Sequence, residues 1–247
     1  MSSLEPEVDL AIDPRDDALA DPGPVDRVIT ARYATRNFAA RPVAKRTVEQ
    51  ILDVARFAPS GANIQPWRVY VLSGREKDNV SCALATAHDE ARDRHASEYQ
   101  YYASPLPEPY LARREQFGRI FYGDLGIAQS DLAARARQTA KNYAFFGAPI
   151  GLIVTIDRRL AVGSWLDLGM FLQNIMIAAG ARGLQTCPQE TFAKYHAILR
   201  DVLPIGADEI VVCGLSLGFA AETSVAKGGL MPKIAVSEFA TFVGFDD

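Results

Sequence analysis

Two arginines four residues apart, Arg32 and Arg36 in the stretch ARYATRNF, are the first residues of this 247-residue chain whose types and spacing invite chemistry. Placed together they repel, so an anion held between the guanidiniums, phosphate above all, is the expected ligand; two solvated arginines are the alternative. At the end of a short helix, i and i+4 share one face. A second constellation lies in APSGANIQPW, where Ser60, Asn63 and Gln65 offer uncharged hydrogen-bonding groups beside the indole of Trp67. That mixture suits a planar heteroaromatic ligand with carbonyl and amide edges, and a structured turn is the other reading. A third, TCPQETF, sets Pro188, Gln189 and Glu190 where a strand meets a helix N-terminus with its free backbone N–H groups.

Other motifs lead away from other chemistries. Gly214-Leu215-Ser216-Leu217-Gly218 has the G-x-S-x-G form of a hydrolase nucleophile elbow and follows a strand. A base histidine should then come after the serine, whereas His88, His95 and His196 all precede it, so the glycines read as close packing of a strand. His88 and His95 share a helix face without a third ligand, and Asp89, Glu90 and Asp93 give that helix the look of a solvated surface. No G-x-G-x-x-G is present, which argues against a dinucleotide fold of the Rossmann type.

The elements that position these residues follow from periodicity. A helix is expected from Val25 to about Tyr33, and a second from Thr47, where Thr47-x-x-Gln50 has capping-box form and Val48, Ile51, Leu52 and Ala55 make an apolar face. WRVYVLS reads as a strand, residues 75 to about 94 as helix, and the prolines at 105, 107 and 109 interrupt before helix resumes to about Tyr143, broken near Gly123 and Gly126. APIGLIVTID is a buried strand; the segment from Ser164, its expected cap, to Gly183 is a helix apolar nearly all round. A helix from Glu190 to about Val202 and the strand EIVVCGLSLG complete an α+β order, with an antiparallel or mixed sheet. Seven of the 23 aromatic residues crowd between Tyr99 and Tyr122, which marks that excursion, Tyr102 and Tyr122 included, as a cap over an acceptor pocket or else a surface packing its own rings.

Composition sets the wider frame. Residues 1–26 carry eight acids against Arg15 alone, a net −7 within the chain's −4, which leaves the body at +3. Residues 1–25 therefore read as a mobile acidic extension and residues 26–247 as one domain, too weakly basic for a nucleic-acid binder. The extension has neither the basic start nor the apolar run of a signal peptide, and no stretch reads as a membrane span. Cys82, Cys187 and Cys213 are widely spaced and fit a reducing cytoplasm.

Taken in order, RYATRNF, APSGANIQPW, TCPQE, LGFA and VSEFATF resemble the FMN-dependent nitroreductase family, from about Asp26 to Phe245. NYAFFGAP, SWLDLGMFLQNIM and VVCGLSLG are similar to stretches of its bacterial nitrobenzoate-type members. The resemblance implies an intertwined homodimer with an FMN at each interface. It places Arg32, Tyr33, Ala34 and Arg36 on the cofactor, the two arginines toward its phosphate. It adds Pro59 to the cofactor site, has Ser60 and Asn63 reach the ring from the partner chain, and has Pro188, Gln189 and Glu190 line its face. Lys233 stands where the family has an arginine, and Ala34 where it has a serine. NADPH or NADH would supply electrons, and nitroaromatics or related acceptors such as quinones would take them in two-electron, ping-pong steps. The flavin carries that chemistry, so no catalytic acid or base is named and no metal is expected. Within the wider family, dehalogenation, enone reduction, flavin fragmentation or simple flavin binding are the rival uses of such a site.

Overall fold

The computed structural model describes residues 23–222 and 231–245. Four antiparallel strands, β1 (Trp67–Ser73), β2 (Ile150–Asp157), β3 (Gln185–Gln189) and β4 (Glu209–Gly218), form one sheet in the order β1-β2-β4-β3. The sheet is antiparallel throughout, the first of the two arrangements expected. β2 and β4 are central and buried almost end to end, which is why both read as continuous apolar runs with no polar face.

Helices cover both faces. On one, Val48, Ile51 and Ala55 of α2 (Lys45–Ala55) and Leu168, Phe171 and Ile175 of α6 (Val162–Gly180) pack on Leu152, Val154 and Ile156 of β2. On the other, Val80 and Leu84 of α3 (Gly74–Ala91) and Leu199 of α7 (His196–Val202) meet Ile153, Phe145 and Phe192. The remaining helices are α1 (Gly23–Thr30), α4 (Tyr110–Asp124) and α5 (Leu132–Ala140). α6 is long and apolar enough to bear comparison with a membrane span, yet it packs on α2 and the sheet and buries Ser164 and Asp167, as a core helix does.

Several boundaries differ from expectation. Residues 23–25, counted with the acidic extension, open α1; residues 1–22 lie outside the described part, as do 223–230. α1 stops at Thr30 instead of Tyr33, because the chain beyond it turns to bond the edge of β3. α2 starts at Lys45 after an Ala44 with no side-chain cap: the Thr47 amide bonds Ala44 O at 2.9 Å, so Thr47 is already inside the helix and no capping box forms there. α6 likewise starts after Ala161, and Ser164 is a buried third residue instead of the cap. The expected helix 190–202 is a tighter 3₁₀ turn over Glu190–Tyr195 followed by α7.

The glycines of the G-x-S-x-G run have a packing reason. A Cβ on Gly214 would fall 2.6 Å from the Phe192 ring, and one on Gly218 would fall 2.5 Å from Pro149. β4 is therefore glycine-punctuated because the Phe192 and Pro149 rings come too close to its backbone for a Cβ.

Candidate functional site

The segment after α1 is stitched between two strand ends. The Thr35 amide bonds Thr186 O at 3.0 Å in a parallel bridge of Ala34 with Thr186, and the Ala39 amide bonds Phe219 O at 2.9 Å. Arg32 and Arg36 consequently lie on bridging, non-helical backbone, not on the helix face expected. On such backbone i and i+4 still face the same side, but at about 3.3 Å per residue they stand about 13 Å apart, not one helical turn. Both guanidiniums act on Cys187 of β3: burial pushes that thiol up to about 11, and the two cations oppose the shift. They do so from two hollows: Arg32 lines one of about 270 Å³ with Arg27, Met176 and Gln185, and Arg36 lines another, on either side of the strand that leads to Pro188, Gln189 and Glu190. Tyr33 and Ala34 between them are half-buried, and Thr35 keeps its hydroxyl buried without a partner among the described residues.

Arg36 lies over the Phe121 ring at 4.6 Å and the Phe117 ring at 5.7 Å, which holds its guanidinium flat. A small cleft of about 160 Å³ opens beside it, walled by Phe121, Tyr122, Gln138, Thr139 and Asn142. Gln138, Thr139 and Asn142 are functional candidates that the sequence reading missed. What sets them there is long-range: Gln189 Nε2 donates to Asn142 O at 2.8 Å and to Asn142 Oδ1 at 3.2 Å, while the Ser216 hydroxyl donates to Gln189 Oε1 at 2.6 Å. Asn142 in turn donates to Thr139 O at 2.8 Å. Ser216 is fully buried on β4 and spends its hydroxyl on Gln189; it is a brace for the cleft wall, not a nucleophile. Ser216→Ala should cost about 1–3 kcal/mol of stability by stranding the Gln189 carbonyl, and should loosen ligand binding at the cleft. Urea melts and ligand titration check this; unchanged values in both would deny the brace.

The side chain of Gln189 therefore points into the core, while Pro188 is exposed and Glu190 half-buried at the start of the 3₁₀ turn. Burial raises the Glu190 carboxyl above its usual range, and Ser97 approaches it at 3.5 Å.

The loop holding Ser60 and Asn63 is a tight, strained structure. Ala62, Asn63 and Gln65 all take left-handed backbone at φ of 49°, 58° and 49°. Such a run of non-glycine residues persists only where the surroundings over-determine it. Here the Gln65 amide bonds Ser60 Oγ at 3.0 Å, the Gly61 amide bonds buried Asp167 of α6 at 3.2 Å, and Trp67 stacks on Phe171 with ring centres 4.6 Å apart. The result presents Pro59 and the Asn63 amide to solvent. Among the described residues no hydrogen bond, ion pair or ring contact links this loop to Arg32 or Arg36 in the same chain. Around it runs an exposed apolar surface: Val54, Phe57 and Ile64, with Val162, Leu166 and Met170 along the outer face of α6.

Lys233 is exposed and lines a hollow of about 410 Å³ with Arg113 and Phe117, so Phe117 stands between it and Arg36. Tyr122 borders the Arg36 cleft; Tyr102 is exposed and packs edge-on against Tyr101, ring centres 4.6 Å apart. Tyr99 is pinned to the sheet by a 2.6 Å bond to Val212 O and sits over Trp165. His88 corrects the solvated-surface expectation: it is half-buried, its Nδ1 meets the Tyr195 hydroxyl at 2.8 Å, its ring packs on Tyr143 at 4.8 Å, and burial lowers its pKa. The Tyr143 hydroxyl pairs with Thr191 Oγ1 at 2.8 Å, so these rings anchor the turn that carries Glu190.

A sheet covered by helices on both faces thus carries two arginines beside β3 and, apart from them, a strained amide-bearing loop presented outward. The chain belongs to the Nitroreductase family, whose sequence model matches residues 29–219. It is 41% identical over 221 residues to a 4-nitrobenzoate reductase of Pseudomonas putida, covering 90% of this chain and 96% of that one. It is 40% identical over 219 residues to a nitrobenzene nitroreductase of Ectopseudomonas oleovorans, at 89% and 96% coverage. Among solved structures, the FMN- and NADPH-dependent nitroreductase NfnB of sphigopyxis sp. strain HMH superposes with a TM-score of 0.86 at 35% identity, over 90% of this chain and 99% of that one.

Proposed function

We propose that this protein is an FMN-dependent enzyme that uses NADPH, or NADH, to reduce nitroaromatic compounds, with quinones as further acceptors. The observation that carries the reading is Arg36, set over Phe121 beside a cleft edged with amide and hydroxyl groups, with Arg32 in a neighbouring hollow at the start of β3. That donor set fits FMN: arginine for its phosphate, and the Gln138 amide with the second amide proton of Asn142 for the carbonyl and imide edge of its ring, the Thr139 hydroxyl being spent on Arg135 O. The cleft itself is smaller than the roughly 300 Å³ at which small-molecule sites begin, and a second copy would enlarge it. Ser60 and Asn63, on a rigid outward loop bordered by apolar surface, are the groups a second copy would contribute.

In this reading FMN, when bound, supplies the hydride chemistry between the nicotinamide and the nitro group. The chain's own work is positional. Arg32 and Arg36 would neutralise the phosphate, Ser216 and Gln189 fix the Asn142 that would meet the ring, and the backbone of Pro188–Glu190 would shield the bound group from water. Donor and acceptor would share that one site in turn, so ping-pong kinetics are expected. The free thiols of Cys82, Cys187 and Cys213 accord with a cytoplasmic enzyme.

The test is spectroscopic. Protein incubated with FMN and desalted should be yellow, should bleach under NADPH without oxygen, and should regain colour on adding 4-nitrobenzoate. A protein that stays colourless after FMN, or one that bleaches and is not reoxidised by any nitroaromatic, would refute the assignment.

A further inference from the structure

Next to the Arg36 cleft lies a larger cavity, about 680 Å³, between α4 and the turn leading to α5. Its walls carry three arginines, Arg114, Arg119 and Arg135, against a single acid, Glu115, and two rings, Phe117 and Tyr122. Glu115 offsets little of that charge, since it approaches Arg119 only to 3.9 Å with both side chains mostly in solvent. Arg114 has no hydrogen bond or ion pair among the described residues. Arg135 is set in place differently: its guanidinium lies over Tyr122 at 4.5 Å, and Nη1 donates to Gln129 O at 3.2 Å. Phe117 stacks on Phe121 with ring centres 5.5 Å apart, and Phe117 and Tyr122 border both this cavity and the Arg36 cleft.

We infer that this cavity is the specificity site for the acceptor and that it selects nitroaromatics bearing a carboxylate, the ring lying against Phe117 and Tyr122 and the carboxylate meeting the arginines. The inference rests on the proposed nitroreductase activity and goes beyond it. The similar proteins act on charged and on neutral nitroaromatics alike, and the excess of cations here decides between them for this chain. A planar guanidinium is the group suited to a carboxylate, because it offers two parallel N–H donors. A neutral acceptor can accept hydrogen bonds from them but lacks the charge that makes such bonds strong.

The test compares 4-nitrobenzoate with nitrobenzene in the FMN-loaded wild type, in the double variant Arg114→Gln with Arg119→Gln, and in Arg135→Gln. Retained FMN content and melting temperature will show that the variants fold. The wild type should prefer 4-nitrobenzoate, and each variant should lose roughly tenfold or more in kcat/KM for it, chiefly through KM, with nitrobenzene held within about twofold. Equal losses on both acceptors, or no loss on either, would overturn the inference. A rise in KM for NADPH but not for NADH, with 4-nitrobenzoate unaffected, would mean that the arginines hold the coenzyme's 2′-phosphate, which also overturns it. If neither acceptor is reduced, the proposed function itself fails. Calorimetric titration with benzoate and with benzamide then still judges the cavity: benzoate binding that weakens in the variants supports it, and no benzoate binding to the wild type rejects it.

Discussion

Arg36→Ala is expected to weaken FMN binding by about 1.5–3 kcal/mol, roughly tenfold to a hundredfold or more in Kd, the range of a charge-assisted hydrogen bond. The guanidinium has two tasks in this structure. It is one of the two cations acting on the Cys187 patch, and its flat face lies on Phe121 and Phe117. Arg36→Lys should therefore recover only part of the loss, keeping the charge but forfeiting the fork and the stacking plane. Arg32→Ala should behave like Arg36→Ala. Added salt should weaken wild-type binding more than that of either variant, since the screened charge is the one removed. Fluorescence titration of free FMN measures each constant, and unchanged affinity in both alanine variants would reduce the arginines to surface charges.

Glu209→Ala is expected to destabilise the fold by about 3 kcal/mol, the scale for removing one member of a buried charged network. Glu209 begins β4 and is only 3% exposed. Its carboxylate accepts from the Thr155 hydroxyl, from Tyr70 at 2.9 Å, from Arg68 at 3.2 Å and from the Gly206 amide at 3.1 Å, tying β1, β2 and β4 together at one end. Arg68 is largely exposed, so its ion pair adds little; the cost of the deletion comes from leaving buried Thr155 and the Gly206 amide without an acceptor. Burial alone would raise this carboxyl, but the bonds from Thr155, Tyr70 and Gly206 outweigh it and hold the group below its ordinary value of 4.5. A depressed carboxyl contributes stability above its unfolded value and loses it as pH falls through the folded one. The gap between wild type and Glu209→Ala in urea melts should accordingly be full near neutrality and shrink below about pH 4.5. A constant gap down to pH 3 would mean that Glu209 acts by packing alone.

What could be read from the sequence divides along physical lines. β2 and β4 were legible because a strand buried on both faces is an unbroken apolar run, and α6 because its apolar residues continue over five turns. Helix starts were not, since capping is decided by a single backbone angle. Thr47 and Ser164 have the right side chains to cap, but the chain turns helical two or three residues earlier. Arg32 and Arg36 were singled out by a helical spacing that the chain does not keep: on bridging backbone they still face one side but stand about 13 Å apart. Asn142 could not be found that way. It lies on a 3₁₀ stretch in which Phe145 and Phe146 take left-handed backbone, a conformation bulky residues rarely adopt, and its partner Gln189 is 47 residues distant. Ser216 carried a misleading motif, and only the close approach of Phe192 and Pro149 to its flanking glycines gives that motif its meaning.

The central claim is that each FMN site is shared: Arg36 from one chain, Asn63 from another. Complementation in a mixed dimer tests it most directly. Homodimers of Arg36→Ala and of Asn63→Ala should each bind FMN weakly, because both of their sites are damaged. In a dimer with one chain of each kind, isolated through two different affinity tags, one site should carry both lesions and the other neither. The account predicts that half of the wild-type FMN content, and half of the activity, returns at wild-type affinity. A mixed dimer no better than its parents, or a monomer with full FMN occupancy by sedimentation, would contradict it.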